Sequence, residues 1–228
     1  MLYVLLLVLL SCGLFLVYRS YSSKNRPRRL TRSEENANLI KVLLELDEEP
    51  REELFDLYRQ QFGDGAARYA RQTYQKWKAG TVRPNKQTFR RFLINLPQVM
   101  SFDLKCDVLR ELREAYCAHD TFEINVSTTN WKETLKPLVQ DIVEKSLTAQ
   151  LPDRVSKRLT WLAEDDVTLA NAILAESQAR ESANALSLLQ NEFSNIEMLL
   201  DNAPGNRKVM HVLRLPLGAI TLHIKREP

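Results

Sequence analysis

Glycine is scarce in this chain of 228 residues. There are six, beside three cysteines and three histidines. Each shortage removes a class of chemistry. So few glycines leave little material for the backbone cradles that hold phosphates. No phosphate-binding Gly-Lys loop, G-x-S-x-G turn or H-E-x-x-H pair occurs. His119, His211 and His223 have no Glu or Asp three residues before them, so the Glu-x-x-His pattern of di-iron bundles is missing. Cys106, Cys117 and His119 do not fall at a zinc spacing. Beyond Cys12, only Cys106 and Cys117 remain, too few for a disulfide framework. They stand three helical turns apart, so both can face one core. Cys117 beside His119 reads as a buried thiol next to a loop histidine, not as a nucleophile pair. No metal and no cofactor is expected.

Two further absences organise the chain. Leu2 to Tyr18 contains no charge at all, and the first acidic residue is Glu34. Between them stand Arg19, Lys24, Arg26, Arg28, Arg29 and Arg32. As a helix the apolar run spans roughly 25 Å, at the short end for crossing a bilayer. Three readings compete. A cleaved secretory signal wants a basic segment before the apolar stretch, and here only the α-amino group precedes it. Leu9-Leu10-Ser11-Cys12 loosely resembles a lipoprotein signal, but the apolar stretch from Gly13 to Tyr18 follows, where a polar tether belongs. A retained anchor fits best. All nearby Lys and Arg lie on its C-terminal side, which keeps that side in the cytoplasm and directs the N-terminus outward. The sequon Asn125-Val126-Ser127 is then expected to stay unmodified.

The expected organisation is an anchor over 1–18, a basic linker over 19–32, a cytosolic helical domain over 33–202 and a β-hairpin over 203–228. A sub-boundary within the helical domain falls near 119–130. The fold class is mainly α: a helical bundle with one long C-terminal helix. Thr31 and Glu34 form a capping box before Leu39, Val42, Leu43 and Leu46 at helical spacing. Pro50 suits the first turn of a second helix. A third runs from about Ala66 to Ala79 and stops at Gly80. Lys86 to Leu96 is closed by Pro97. Phe102 to Ala118 turns Leu104, Val108, Leu109 and Leu112 inward. His119 to Thr129 reads as a loop with a short extended piece. Trp131 to Ala149 is helical in period, with Pro137 tolerable in an early turn or at a kink. No element is assigned between Ala149 and Asp165.

The longest helix is expected between Asp165 and Asp201, with the acidic pair Asp165-Asp166 at its N-terminal end. Leu186, Leu189, Phe193, Ile196 and Leu200 alternate by three and four, either as one face of a core helix or as a seam for a partner, a second copy included. Downstream, Val209 to Leu215 and Ala219 to Ile224 read as strands joined by a turn at Pro216-Leu217-Gly218. Ile220, Leu222 and Ile224 alternate with Thr221, His223 and Lys225, the period of a half-buried strand.

Charge is polarised although the net value is only +3. From 68 to 91 there are eight cations and no acid: Arg68, Arg71, Lys76, Lys78, Arg83, Lys86, Arg90 and Arg91. Tyr69, Tyr74, Trp77 and Phe89 are interleaved. Glu34 to Asp56 is acidic, and from Glu164 to Asp201 Arg180 is the one cation. The basic segment therefore pairs with the acidic helices of its own bundle, lies against anionic lipid or an acidic protein, or binds nucleic acid with its aromatics stacking on bases. The functional expectation is a membrane-tethered adaptor, scaffold or assembly factor. Its apolar helix engages membrane lipids and its domain recruits a protein partner. The alternatives are an enzyme with an unrecognised helical active site and a membrane-anchored polyanion- or nucleic-acid-binding module.

Overall fold

The computed structural model describes residues 32–117, 120–202, 209–215 and 218–225. The apolar run, the linker as far as residue 31, the Thr31 capping box, His119 and the turn residues 216–217 lie outside them. Among the described residues, no helix is long and apolar enough to cross a membrane.

Five helices come first: α1 (Arg32–Glu45), α2 (Glu48–Phe62), α3 (Asp64–Lys78), α4 (Lys86–Val99) and α5 (Phe102–Tyr116). Strand β1 (Asp120–Ser127) follows, then α6 (Trp131–Thr148), α7 (Asp153–Leu162) and the long α8 (Val167–Asn202). The last described elements are β2 (Val209–Leu215) and β3 (Gly218–Lys225).

The first core belongs to α1–α5, α7 and the start of α8. Ala67, Ala70, Tyr74 and Trp77 recur at three and four along α3 and turn inward. Tyr74 meets Phe55 edge-on at 5.5 Å, and Phe92 stacks obliquely on Tyr58 at 5.0 Å. The Tyr74 hydroxyl donates to the Leu43 and Leu44 carbonyls, two that the end of α1 leaves without a helical partner. Gly80 ends α3 with φ +69°. Its N–H reaches the Trp77 carbonyl and that of Thr81 the Lys76 carbonyl, a Schellman arrangement that needs a left-handed residue there.

Pro97 does not close α4 as expected; it sits in the last turn, and the helix runs on to Val99. A proline there removes the N–H that the Leu93 carbonyl would accept. The indole N–H of Trp161, on α7, donates to that carbonyl instead, at 3.0 Å. The bond satisfies the carbonyl that the proline leaves open and ties α4 to α7, a helix absent from the sequence reading that also buries Val155, Leu159 and Leu162. Asp166 caps α8, its carboxylate accepting the Thr168 and Leu169 N–H groups at 2.7 and 3.1 Å.

The second core holds α6, the C-terminal half of α8 and one face of a three-stranded sheet ordered β1-β3-β2. The hairpin forms with Leu213 opposite Ile220 and Val209 opposite Ile224. The segment read as a loop is a full strand, parallel to β3, with Phe122 opposite Ile220 and Val126 opposite Ile224. Phe122, Ile124 and Val126 thereby join Ile220, Leu222 and Ile224 on the face that α6 and α8 cover. The α8 stripe read as a core face or a partner seam packs largely here. Leu189 and Ile196 are buried in this core, Phe193 and Leu200 pack on its margin, and only Leu186 is exposed.

Where the cores meet, Arg113 on α5 and Glu181 on α8 form a buried two-pronged pair, Nε to Oε1 at 2.9 Å and Nη2 to Oε2 at 3.2 Å. Ser177, one turn before Glu181, is buried with them.

Candidate anion-binding face

The inward residues of α3 decide what its other side can be. With Ala67, Ala70, Thr73, Tyr74 and Trp77 buried, Arg68, Arg71, Lys76 and Lys78 are left on the solvent side. Thr88, Phe89, Phe92 and Leu96 likewise fix α4 so that Lys86 and Arg90 face outward. Asn85 caps that helix by accepting the Thr88 N–H at 2.8 Å. Arg83 is exposed in the loop between them.

The eight cations of the segment then divide. Arg71 pairs with Glu52 and lies 4.6 Å over the Phe55 ring. Arg91 is half-buried, 5.0 Å over the Phe62 ring. Arg68, Lys76, Lys78, Arg83, Lys86 and Arg90 are exposed, and no acidic side chain among the described residues lies within ion-pair distance of them. Pairing within the bundle therefore accounts for Arg71 and not for the segment. Of the four interleaved aromatics, Tyr74, Trp77 and Phe89 are core and Tyr69 alone is open, at 56 % exposure.

Lys86 and Arg90 also line an open groove of about 900 Å³ between α1, α4 and α7. Glu35 and Asn36 contribute from α1, Phe89 and Leu93 from α4, and Arg154, Lys157 and Arg158 from α7. The sequence reading missed the last three. Their signal is spacing: 154, 157 and 158 share one helix face, beside the one that buries Val155, Leu159 and Leu162. Glu35 is 6 % exposed. Its Oε1 stands 2.7 Å from Arg154 Nε, off the N–H axis so that it accepts no hydrogen bond there, and its Oε2 stands 4.0 Å from Arg158 Nη2. Arg154 lies 4.8 Å over the Tyr116 ring and Arg158 4.6 Å over that of Trp161. Burial pulls the Arg158 guanidinium below its ordinary pKa, and the attraction of Glu35 opposes that shift. An arginine stays charged regardless.

Catalytic chemistry has less to work with. Burial pushes the thiols of Cys106 and Cys117 above the ordinary value, which favours the unreactive protonated form. Among the described residues, no three His, Cys, Asp or Glu side chains gather as a metal site. No protein-family model, no curated protein and no solved structure matches the chain.

Proposed function

We propose that this chain is a membrane-tethered adaptor. The apolar run Leu2–Tyr18 anchors it with the domain on the cytoplasmic side, and the basic face of α3, the following loop and α4 captures an acidic segment of a protein partner. The observation that carries the reading is the set of six exposed cations without an acidic neighbour among the described residues. A like-charged surface left open after folding gains most from a partner of opposite sign. A protein partner is favoured over nucleic acid because three of the four interleaved aromatics are buried, which leaves Tyr69 without companions for base stacking. The apolar stripe of α8 offers little to a partner, since four of its five residues pack within the chain.

The test uses the full-length chain solubilised from membranes, with identification of what co-purifies. Changing Arg68, Lys76, Lys78 and Arg83 together to Gln should release the partner and leave the melting temperature within about 2 °C, because exposed unpaired charges contribute little to stability. Retention of the partner by this variant overturns the basic face as its site. Carbonate washing and protease access in sealed vesicles address the tether. A washed-off chain, or a domain protected on the lumenal side, overturns that part.

A further inference from the structure

We propose that the groove between α1, α4 and α7 binds the phosphate head group of an anionic phospholipid. Five cations, Lys86, Arg90, Arg154, Lys157 and Arg158, converge there from two helices far apart in sequence, and Glu35 is the one carboxylate among the described lining residues. Like charges brought together by folding repel, and the groove volume of about 900 Å³ lies within the range of small-ligand sites. Two of the cations are also held in place. Glu35 faces both Arg154 and Arg158. Arg158 rests on Trp161, whose own indole is fixed to the Leu93 carbonyl, and Arg154 rests on Tyr116. Guanidinium groups fixed on aromatic rings present their remaining N–H donors in a planar fork that matches phosphate oxygens. Arg158 is mostly buried and only weakly compensated by Glu35 at 4.0 Å, so an anion in the groove supplies what the fold leaves incomplete.

Position favours a lipid over a soluble phosphate ester, and this choice alone rests on the tether reading. Glu35 and Asn36, in the first turns of α1, line the groove. The thirteen residues 19–31 join α1 to the apolar run and span at most about 45 Å when fully extended. An anchored domain therefore keeps this end near the bilayer surface. Phe89 and Leu93 add an apolar wall beside the cations, which suits the glycerol and first methylenes below a head group.

The experiment is native mass spectrometry of the full-length chain released from a non-ionic detergent. It is offered equal amounts of dioctanoyl phosphatidic acid and dioctanoyl phosphatidylcholine. The phosphatidic acid adduct should dominate. It should fall about tenfold or more in an Arg90→Gln/Lys157→Gln double variant, both positions being exposed and outside any ion pair among the described residues. The basic linker can also hold anionic lipid, and these changes leave it intact, so an adduct that survives them overturns the groove as the site. Arg68→Gln/Lys76→Gln/Lys78→Gln, on the partner-binding face, should keep the adduct. Loss in that variant equally overturns the assignment. Glycerol 3-phosphate at the same concentration should leave the adduct in place. Full displacement by it overturns the lipid in favour of a soluble ester. Failure of the tether shows in carbonate washing, independently of every arm here.

Discussion

Arg113 and Glu181 are both almost fully buried, so each ion gives up its hydration on folding. The two-pronged geometry offsets that cost while both are present. Removing either leaves the other ion buried without its two-pronged partner. Glu181→Ala or Arg113→Ala should therefore each cost about 3–5 kcal/mol, and Arg113→Met/Glu181→Leu should recover most of the loss. Denaturant unfolding of the chain in detergent reads this, and a single variant as stable as the parent refutes it. Glu114, next along α5, carries a pH signature of unusual sign. Burial, opposed by Arg110 and assisted by Glu181 and Glu111, lifts its carboxyl above 4.5. The native state then binds the proton more tightly than the unfolded chain. The stability this contributes is complete below the unfolded pKa and is lost as pH rises through the raised folded value. Glu114→Gln should gain stability relative to the parent between about pH 4.5 and pH 7. A difference in melting temperature that stays constant across that range argues against the assignment.

At the scale of elements, helices α1 to α5 are legible because each carries its own apolar period. Gly80 ends α3 where a left-handed residue is needed, and Asp166 opens α8 as an N-terminal acid should. What escaped depends on distant partners. Helix α7 is ten residues long and draws its place from packing, and β1 pairs with a strand about a hundred residues away. The alternation Phe122, Ile124, Val126 was present, but nothing local says which strand it joins. The basic site was half legible for the same reason: the run from 68 to 91 is contiguous, whereas Arg154, Lys157 and Arg158 reach Lys86 and Arg90 only through the fold. The bond that seats α7 is itself testable. Trp161→Phe removes the donor to the Leu93 carbonyl, which Pro97 leaves without its helical N–H, and should cost about 1–2 kcal/mol. In a Pro97→Ala background the backbone N–H returns and the same change should cost clearly less. Equal cost in both backgrounds assigns the effect to packing alone.

The described residues form two cores on one spine. Helix α8, 36 residues long and about 54 Å from end to end, gives Ile173 to the first core and Ala185, Leu189 and Ile196 to the second. The second core is completed by the last stretch of chain: β3 is the central strand, and its Ile220, Leu222 and Ile224 are almost fully buried. An isolated hairpin is marginal in water, so this one owes its stability to α6, α8 and β1, and they to it. Ending the chain after Asn206 should strip one side from the second core, destabilise the domain and expose Leu135, Val139 and Leu189. The first core contains none of the removed residues. Hydrogen exchange on the shortened full-anchor chain should therefore show α6 and the C-terminal half of α8 exchanging fast, while α2 to α5 keep their protection. Uniform loss across both cores would mean that the buried Arg113–Glu181 junction ties them into one cooperative unit. Unchanged protection of α6 would mean that the sheet is not what holds that helix in place.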